Sequence, residues 1–272
     1  MTHRIIILVI AFFANFISTK AQVITFSGMV NTKKGQLVDS ALLKVQYKAT
    51  ILIDTTAAQP KPSEEVLLLE IGRKTSQFYS YSLALRDSVL AADAQRGASM
   101  EEINNHAKQY GGGNVTYRIF KNYPIGKVTT FDQLAMNKYR CEEINERPQW
   151  TLHADTATIL SYKCQKATCH FKGRTYEAWY TLEIPISEGP WKLSGLPGLI
   201  IKASDKSGAY TFECSGIEKV KTPQGIHLPG EKGYEAISRK DMNRLHERFT
   251  KDPVGFIQAS FPGAQIKVVW RR

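Results

Sequence analysis

The side chains able to do chemistry are thinly spread in this sequence. His106, His153, His170, His227 and His246 are dispersed, and none stands at an obvious metal-ligand spacing from another. His153-Ala154-Asp155 sets an imidazole beside a carboxylate. A triad needs the acid to orient the base and a nucleophile within its reach, whereas neighbours on a surface loop do neither. No Gly-x-Ser-x-Gly elbow, His-Glu-x-x-His zinc motif or dinucleotide-binding glycine pattern occurs. No catalytic residue, cofactor or metal site is therefore assigned. Cys164-x4-Cys169-His170 offers thiolates and an imidazole, the donors that take Cu(I) or Zn, but covalent haem attachment needs two residues between the cysteines.

The cysteines read better as disulfides. An apolar run from Ile5 to about Ile17 follows Arg4, and Thr19-Lys20-Ala21 supplies small residues where a signal peptidase cuts, so residues 1–21 read as a secretory leader cleaved after Ala21. The run falls short of the roughly 20 apolar residues that span a bilayer. In an exported chain the even set Cys141, Cys164, Cys169 and Cys214 predicts two bridges. Five residues of extended chain would hold Cys164 and Cys169 roughly 16 Å apart, on opposite faces. A bridge needs less than about 7 Å, so each should pair with Cys141 or Cys214.

The whole chain carries a formal charge of +11. This favours anionic envelope partners, but Lys and Arg are scattered along strand-like segments rather than gathered in a run, which together with the leader argues against nucleic acid as a target. We read the charge mainly as a solvated face.

What must position any site is mostly β-strand. Two-residue alternation marks 42–54, 66–72, 76–83, 115–124, 126–134, 137–144, 157–173, 174–185, 198–205, 209–220 and a closing 265–270. Between about 84 and 110 the pattern turns helical, as two short helices broken at Gly97 with Ser99 as a cap. A late helix fits 238–249, with Ser238 and Asp241 as a capping pair and Met242, Leu245 and Phe249 on one face. The expectation is one mainly β domain over residues 22–272. It would be a curved antiparallel sheet or partial barrel with a small helical insertion and a C-terminal helix.

The stretch EGPWKLSGLPGLIIKASD, residues 188–205, contains two glycine-proline corners. Leu196-Pro197-Gly198 suits a type II turn with Gly198 at positive φ. The glycines lead into a strand rather than a helix, which excludes a phosphate-binding loop. Gly189, Pro190, Trp191, Gly195, Leu196, Pro197 and Gly198 are read as a structural corner that plugs one end of the sheet, in preference to a ligand-contact loop.

This stretch, within the block 162–205, resembles the signature of the GLPGLI family of secreted bacterial envelope proteins. The resemblance implies a β-rich envelope protein that accompanies a TonB-dependent outer-membrane transporter, with no catalytic residues to carry over. In that setting Ser40, Thr55, Ser88 and Thr156, each following an Asp and preceding a small or apolar residue in three of the four cases, resemble periplasmic O-glycosylation acceptors. The function expected is that of a periplasmic or outer-membrane-associated binding or accessory protein with an apolar or anionic ligand. The alternatives are an envelope hydrolase or peptidase, and a structural scaffold of an envelope complex.

Overall fold

A computed structural model describes residues 35–52, 62–110, 113–135, 137–230 and 233–260. The leader, Thr55 and the expected strand at 265–270 lie outside the described residues. The strands are β1 (Leu37–Leu52), β2 (Pro62–Ile71), β3 (Ser76–Ser80), β4 (Arg118–Lys121), β5 (Lys127–Leu134), β6 (Asn137–Ile144), β7 (Thr151–Ile159), β8 (Tyr162–Phe171), β9 (Arg174–Thr181), β10 (Leu199–Asp205), β11 (Tyr210–His227) and β12 (Tyr234–Ala236). The helices are α1 (Tyr81–Gln95), α2 (Met100–Gln109), α3 (Arg239–Lys251) and α4 (Pro253–Ser260).

All twelve strands form one sheet in the order β12-β6-β5-β4-β3-β2-β1-β11-β10-β9-β8-β7. Every pairing is antiparallel except the short β12–β6 pair. The chain is thus mainly β, with the helical insertion between β3 and β4. The sheet is also strongly curled. Thr130 of β5 and Arg174 of β9 line one basin of about 460 Å³, although seven strand spacings would separate them by about 34 Å in a flat sheet.

The long central strand β1 shows why the core forms on the inner face. Leu43, Val45, Tyr47, Ala49 and Ile51 alternate inward and are buried. The Tyr47 hydroxyl donates to the Ile200 carbonyl at 2.7 Å, tying β1 to β10 across 153 residues of chain. Phe78 packs edge-on against Tyr47 at 6.4 Å and against Phe212 at 6.2 Å, an arrangement favoured by the ring quadrupoles.

Local chemistry explains where the boundaries moved. The third strand stops at Ser80 rather than 83, because Ser80 accepts from the Leu83 backbone N–H and caps α1. Ser99 and Glu102 complete a capping box on α2. The single strand expected at 157–173 is a hairpin, broken where Leu160 and Ser161 both adopt positive φ, 51° and 71°. Such turns normally advertise themselves with Asn or Gly, and here neither is present.

The two expected disulfides do not form. All four cysteines are free and buried. Cys164, Cys169 and Cys214 sit in the main core, while Cys141 packs in a separate cluster with Met242 and Phe256. They serve as small apolar side chains, and burial pushes the thiols of Cys169 and Cys214 up to about 11 and about 12. Among the described residues no helix is long and apolar enough to cross a membrane.

Candidate functional site

The curl of the sheet encloses a basin of about 460 Å³. Strands β5 and β6 give it Thr130, Asp132 and Glu143, the β8–β9 turn gives Lys172, the start of β9 gives Arg174, and α3 closes it with Arg239, Asn243 and His246. These three α3 residues are spaced four and three apart, so they share one face of the helix. Met242, Leu245 and Phe249 share the other and pack into the cluster around Tyr139 and Cys141. The apolar stripe therefore fixes which way the polar stripe points.

Two charged groupings occupy the floor. Asp132, with a side chain only 2% exposed, binds His246 Nε2 at 2.6 Å. Its other oxygen accepts from the Thr116 hydroxyl at 2.6 Å and the Gln133 backbone N–H at 2.8 Å. A carboxylate so fixed favours the proton on Nε2 and leaves Nδ1 as the basic ring nitrogen. In the second grouping Glu143 receives the Lys192 ammonium and, at 2.7 Å, the Arg239 Nε–H. Arg239 also donates to the Thr130 hydroxyl at 2.8 Å. Burial raises the affinity of Glu143 for a proton, but Lys192 and Arg239 outweigh it and hold the carboxyl below its usual range. Burial, with Arg239 close by, pushes Lys192 down to about 8.

The opposite wall is aromatic. Trp191 stands 6.0 Å from Phe171 and 6.2 Å from Tyr176, ring centre to ring centre. Arg174 spreads over the Tyr210 ring at 4.7 Å and is held there by Asp205 at 2.7 Å. An aromatic wall facing fixed charges suits a polar ligand with C–H faces, such as a sugar ring, because those C–H groups complement the negative face of the ring.

Trp191 reaches this wall because of the 188–195 corner. Buried Lys121 of β4 pairs with Glu188 and donates to the Gly189 carbonyl at 2.8 Å, and Leu193 N–H closes a turn on Pro190 at 3.0 Å. Trp191 itself takes φ 51°, unusual for a bulky residue and costly unless the surroundings fix it. The corner read as structural thus also delivers Trp191 and Lys192 to the basin. The expected reason for Gly198 is corrected. The positive φ falls on Gly195, at 97°, while at Gly198 an added Cβ would lie 1.9 Å from the Thr181 carbonyl oxygen. Glycine is needed there for close approach.

Sequence reasoning passed over Asp132, Glu143, Lys192 and Arg239 and left His246 without a partner. Only the 239-243-246 spacing, opposite the apolar face of the late helix, was a usable signal. His153 and His170 lie on β7 and β8 and bind threonine hydroxyls, Thr168 at 2.8 Å and Thr175 at 3.4 Å. His106 pairs with Asp93 on the helical insertion, and His227 meets the Gly35 carbonyl. His170 is exposed while Cys164 and Cys169 are buried, so the Cys/His ligand set does not converge. Among the acceptor-like sites, Thr156 is exposed on the edge strand β7, and Ser40 and Ser88 are half-buried on β1 and α1.

Fold and site together define a curled antiparallel β protein with a charged, aromatic-walled basin closed by a helix. The sequence model of the family described as "N-glycanase peptide, N-terminal domain" matches residues 88–241, and the chain belongs to that family. This overturns the resemblance to the GLPGLI family, and the TonB-linked binding role that rested on it falls too. Two crystal structures of PNGF-II, in space groups P21 and C2, are each 14% identical to this chain, with TM-scores of 0.48 and 0.47. They match over 76% and 79% of this chain and 33% of their own length, so the chain spans about a third of each. Comparison with curated protein sequences gives no match.

Proposed function

We propose that this chain is a glycan-directed hydrolase of the N-glycanase type, and that the basin engages the sugar next to the bond that is cut. One observation carries the reading: the family match contains the whole basin lining except Asn243 and His246. The carbohydrate class comes from the name of the family, and the aromatic wall with its fixed charges supports it. In this reading Trp191 and Tyr176 receive a sugar face. His246, oriented by Asp132, takes a proton from the attacking water. Lys192, whose ammonium burial pushes down to about 8, returns one to the departing nitrogen. The amide bond between glycan and asparagine breaks, water adds its oxygen to the carbonyl carbon, and the asparagine becomes aspartate.

A second reading has its own observation. The matched family is that of an N-terminal domain, and the chain covers a third of the PNGF-II structures. The basin would then hold the glycan while another unit cuts. Export belongs to the proposal, supported by the leader pattern at residues 1–21, with the periplasm or outer-membrane periphery as its compartment. A single domain is proposed as well, supported by the one continuous sheet.

The test is incubation of purified protein with an N-glycosylated glycopeptide in water enriched in oxygen-18. Released glycan and label in a new aspartate support the hydrolase. Binding that is lost in Trp191→Ala, without release, supports recognition alone. Neither release nor binding would sink both readings.

A further inference from the structure

A second cavity, of about 650 Å³, lies between the helical insertion and the β3–β6 strand ends, and it meets the basin at Tyr117 and Asp132. Helix α3 edges both, with His246 on the basin and Phe249 on the second cavity. Its cations are conspicuous. The Arg118 guanidinium lies 4.6 Å over the Tyr79 ring and the Lys138 ammonium 5.7 Å over the Tyr234 ring. Neither forms an ion pair with a carboxylate among the described residues. Arg86 holds Asp87 through a long 3.3 Å contact, while its Nε–H is buried with no acceptor among the described residues.

The two carboxylates of the lining do not answer this charge. Asp87 is exposed and is already used by Arg86. Both oxygens of Asp132 are taken by His246, Thr116 and Gln133. A buried donor without a partner calls for an explanation. An arginine stacked on an aromatic face also keeps its in-plane N–H fork free, in the geometry that grips a carboxylate, sulfate or phosphate with two parallel bonds. Tyr79, Arg118 and Phe131 are direct cross-strand neighbours, so the sheet sets this platform rigidly.

We propose that this second cavity is an anion subsite, which takes the carboxylate, sulfate or phosphate group of an acidic sugar on the glycan held by the basin. The proposal rests on the glycan reading for the carrier of the charge, and on Arg118, Lys138 and Arg86 for the charge itself. Because the two cavities meet, a branched saccharide can place a neutral ring against Trp191 and a charged terminus against Arg118.

The experiment is calorimetric binding of a sialylated N-glycan, a sulfated one and the same glycan stripped of acidic groups. Each is measured on wild type and on the Arg118→Met/Lys138→Met double variant, with inorganic sulfate as a separate probe. The acidic glycans should bind wild type about tenfold or more tightly than the neutral one, as charge-assisted bonds would give. That preference should shrink as salt rises and vanish in the double variant. Whichever acidic glycan shows it identifies the group. Equal affinity for acidic and neutral glycans, or a preference that survives the double variant, would overturn the subsite and leave the glycan reading standing. If no glycan binds, the glycan reading falls. Sulfate binding lost in the double variant would then still support the anion subsite, and its absence would overturn that too. Should the double variant fail to fold, Lys138→Gln alone must show a reduced preference.

Discussion

His246 Nε2 lies 2.6 Å from Asp132 Oδ2, across the gap between a surface helix and the second-last residue but one of a buried strand. Their separation of 114 positions in sequence hides a pair that the fold makes adjacent. Asp132→Asn keeps the shape but cannot hold the same tautomer or support a developing imidazolium. If the basin cuts glycans as proposed, release should fall about 100-fold or more, mainly in kcat, with the neutral-glycan Kd little changed. A loss confined to KM would assign Asp132 to binding instead.

Glu143 is shared by Lys192 and Arg239, and its side chain and that of Lys192 are 11% and 7% exposed. Removing the shared acid leaves two cations facing each other in a poorly hydrated site. Glu143→Gln should therefore cost about 3 kcal/mol of stability, read by urea unfolding near neutral pH. Below the ordinary carboxylate range the cost should shrink. The wild-type carboxyl is held low in the fold, so its contribution is present above its unfolded value and is lost as pH falls through the folded one.

Lys192 runs the other way. Its ammonium is pushed from 10.5 to about 8 by burial first and by Arg239 second. Between those values the unfolded chain holds a proton that the folded chain has released. Stability therefore gains from this group as pH rises across that window. Lys192→Met should remove that rise. If Lys192 supplies the proton to the leaving nitrogen, glycan release should decline as pH passes through about 8. A rate that stays level to about pH 10 would remove Lys192 from that role.

The two glycines of the corner should respond differently to alanine. At Gly198 the new Cβ would strike the Thr181 carbonyl at 1.9 Å, and backbone has to move. At Gly195 the nearest atom is 3.6 Å away and only the positive φ is strained. Gly195→Ala should cost about 1–2 kcal/mol, and Gly198→Ala more, with the larger drop in Tm. The reverse order would make φ, rather than close approach, the controlling feature.

Much of the fold was legible because its cause is local. Alternation in Leu43-Lys44-Val45-Gln46-Tyr47 encodes a strand with one face inward, and the Ser99 cap and the apolar stripe of Met242, Leu245 and Phe249 encode helices. The Leu160-Ser161 hairpin was not legible, since nothing in those side chains asks for positive φ and the tertiary structure imposes it. The cysteines misled for a related reason. Their number spoke of bridges, but whether a thiol finds a partner depends on where the sheet curls, and it curls so that Cys141 packs beneath α3, apart from the other three.

The sequence by itself determined that strands would form, where two helical segments would interrupt them, and that a glycine-proline corner would turn the chain before β10. Backbone preference and side-chain periodicity act within a few residues, and those features need no more than that. The site was decided by tertiary structure alone. Asp132 meets His246, and Glu143 meets Lys192 and Arg239, only because an open twelve-stranded sheet curls and α3 lies against it. Electrostatic partnership is a matter of distance in space, and beyond the helix face shared by Arg239 and His246 the chain order of these residues carries no trace of it.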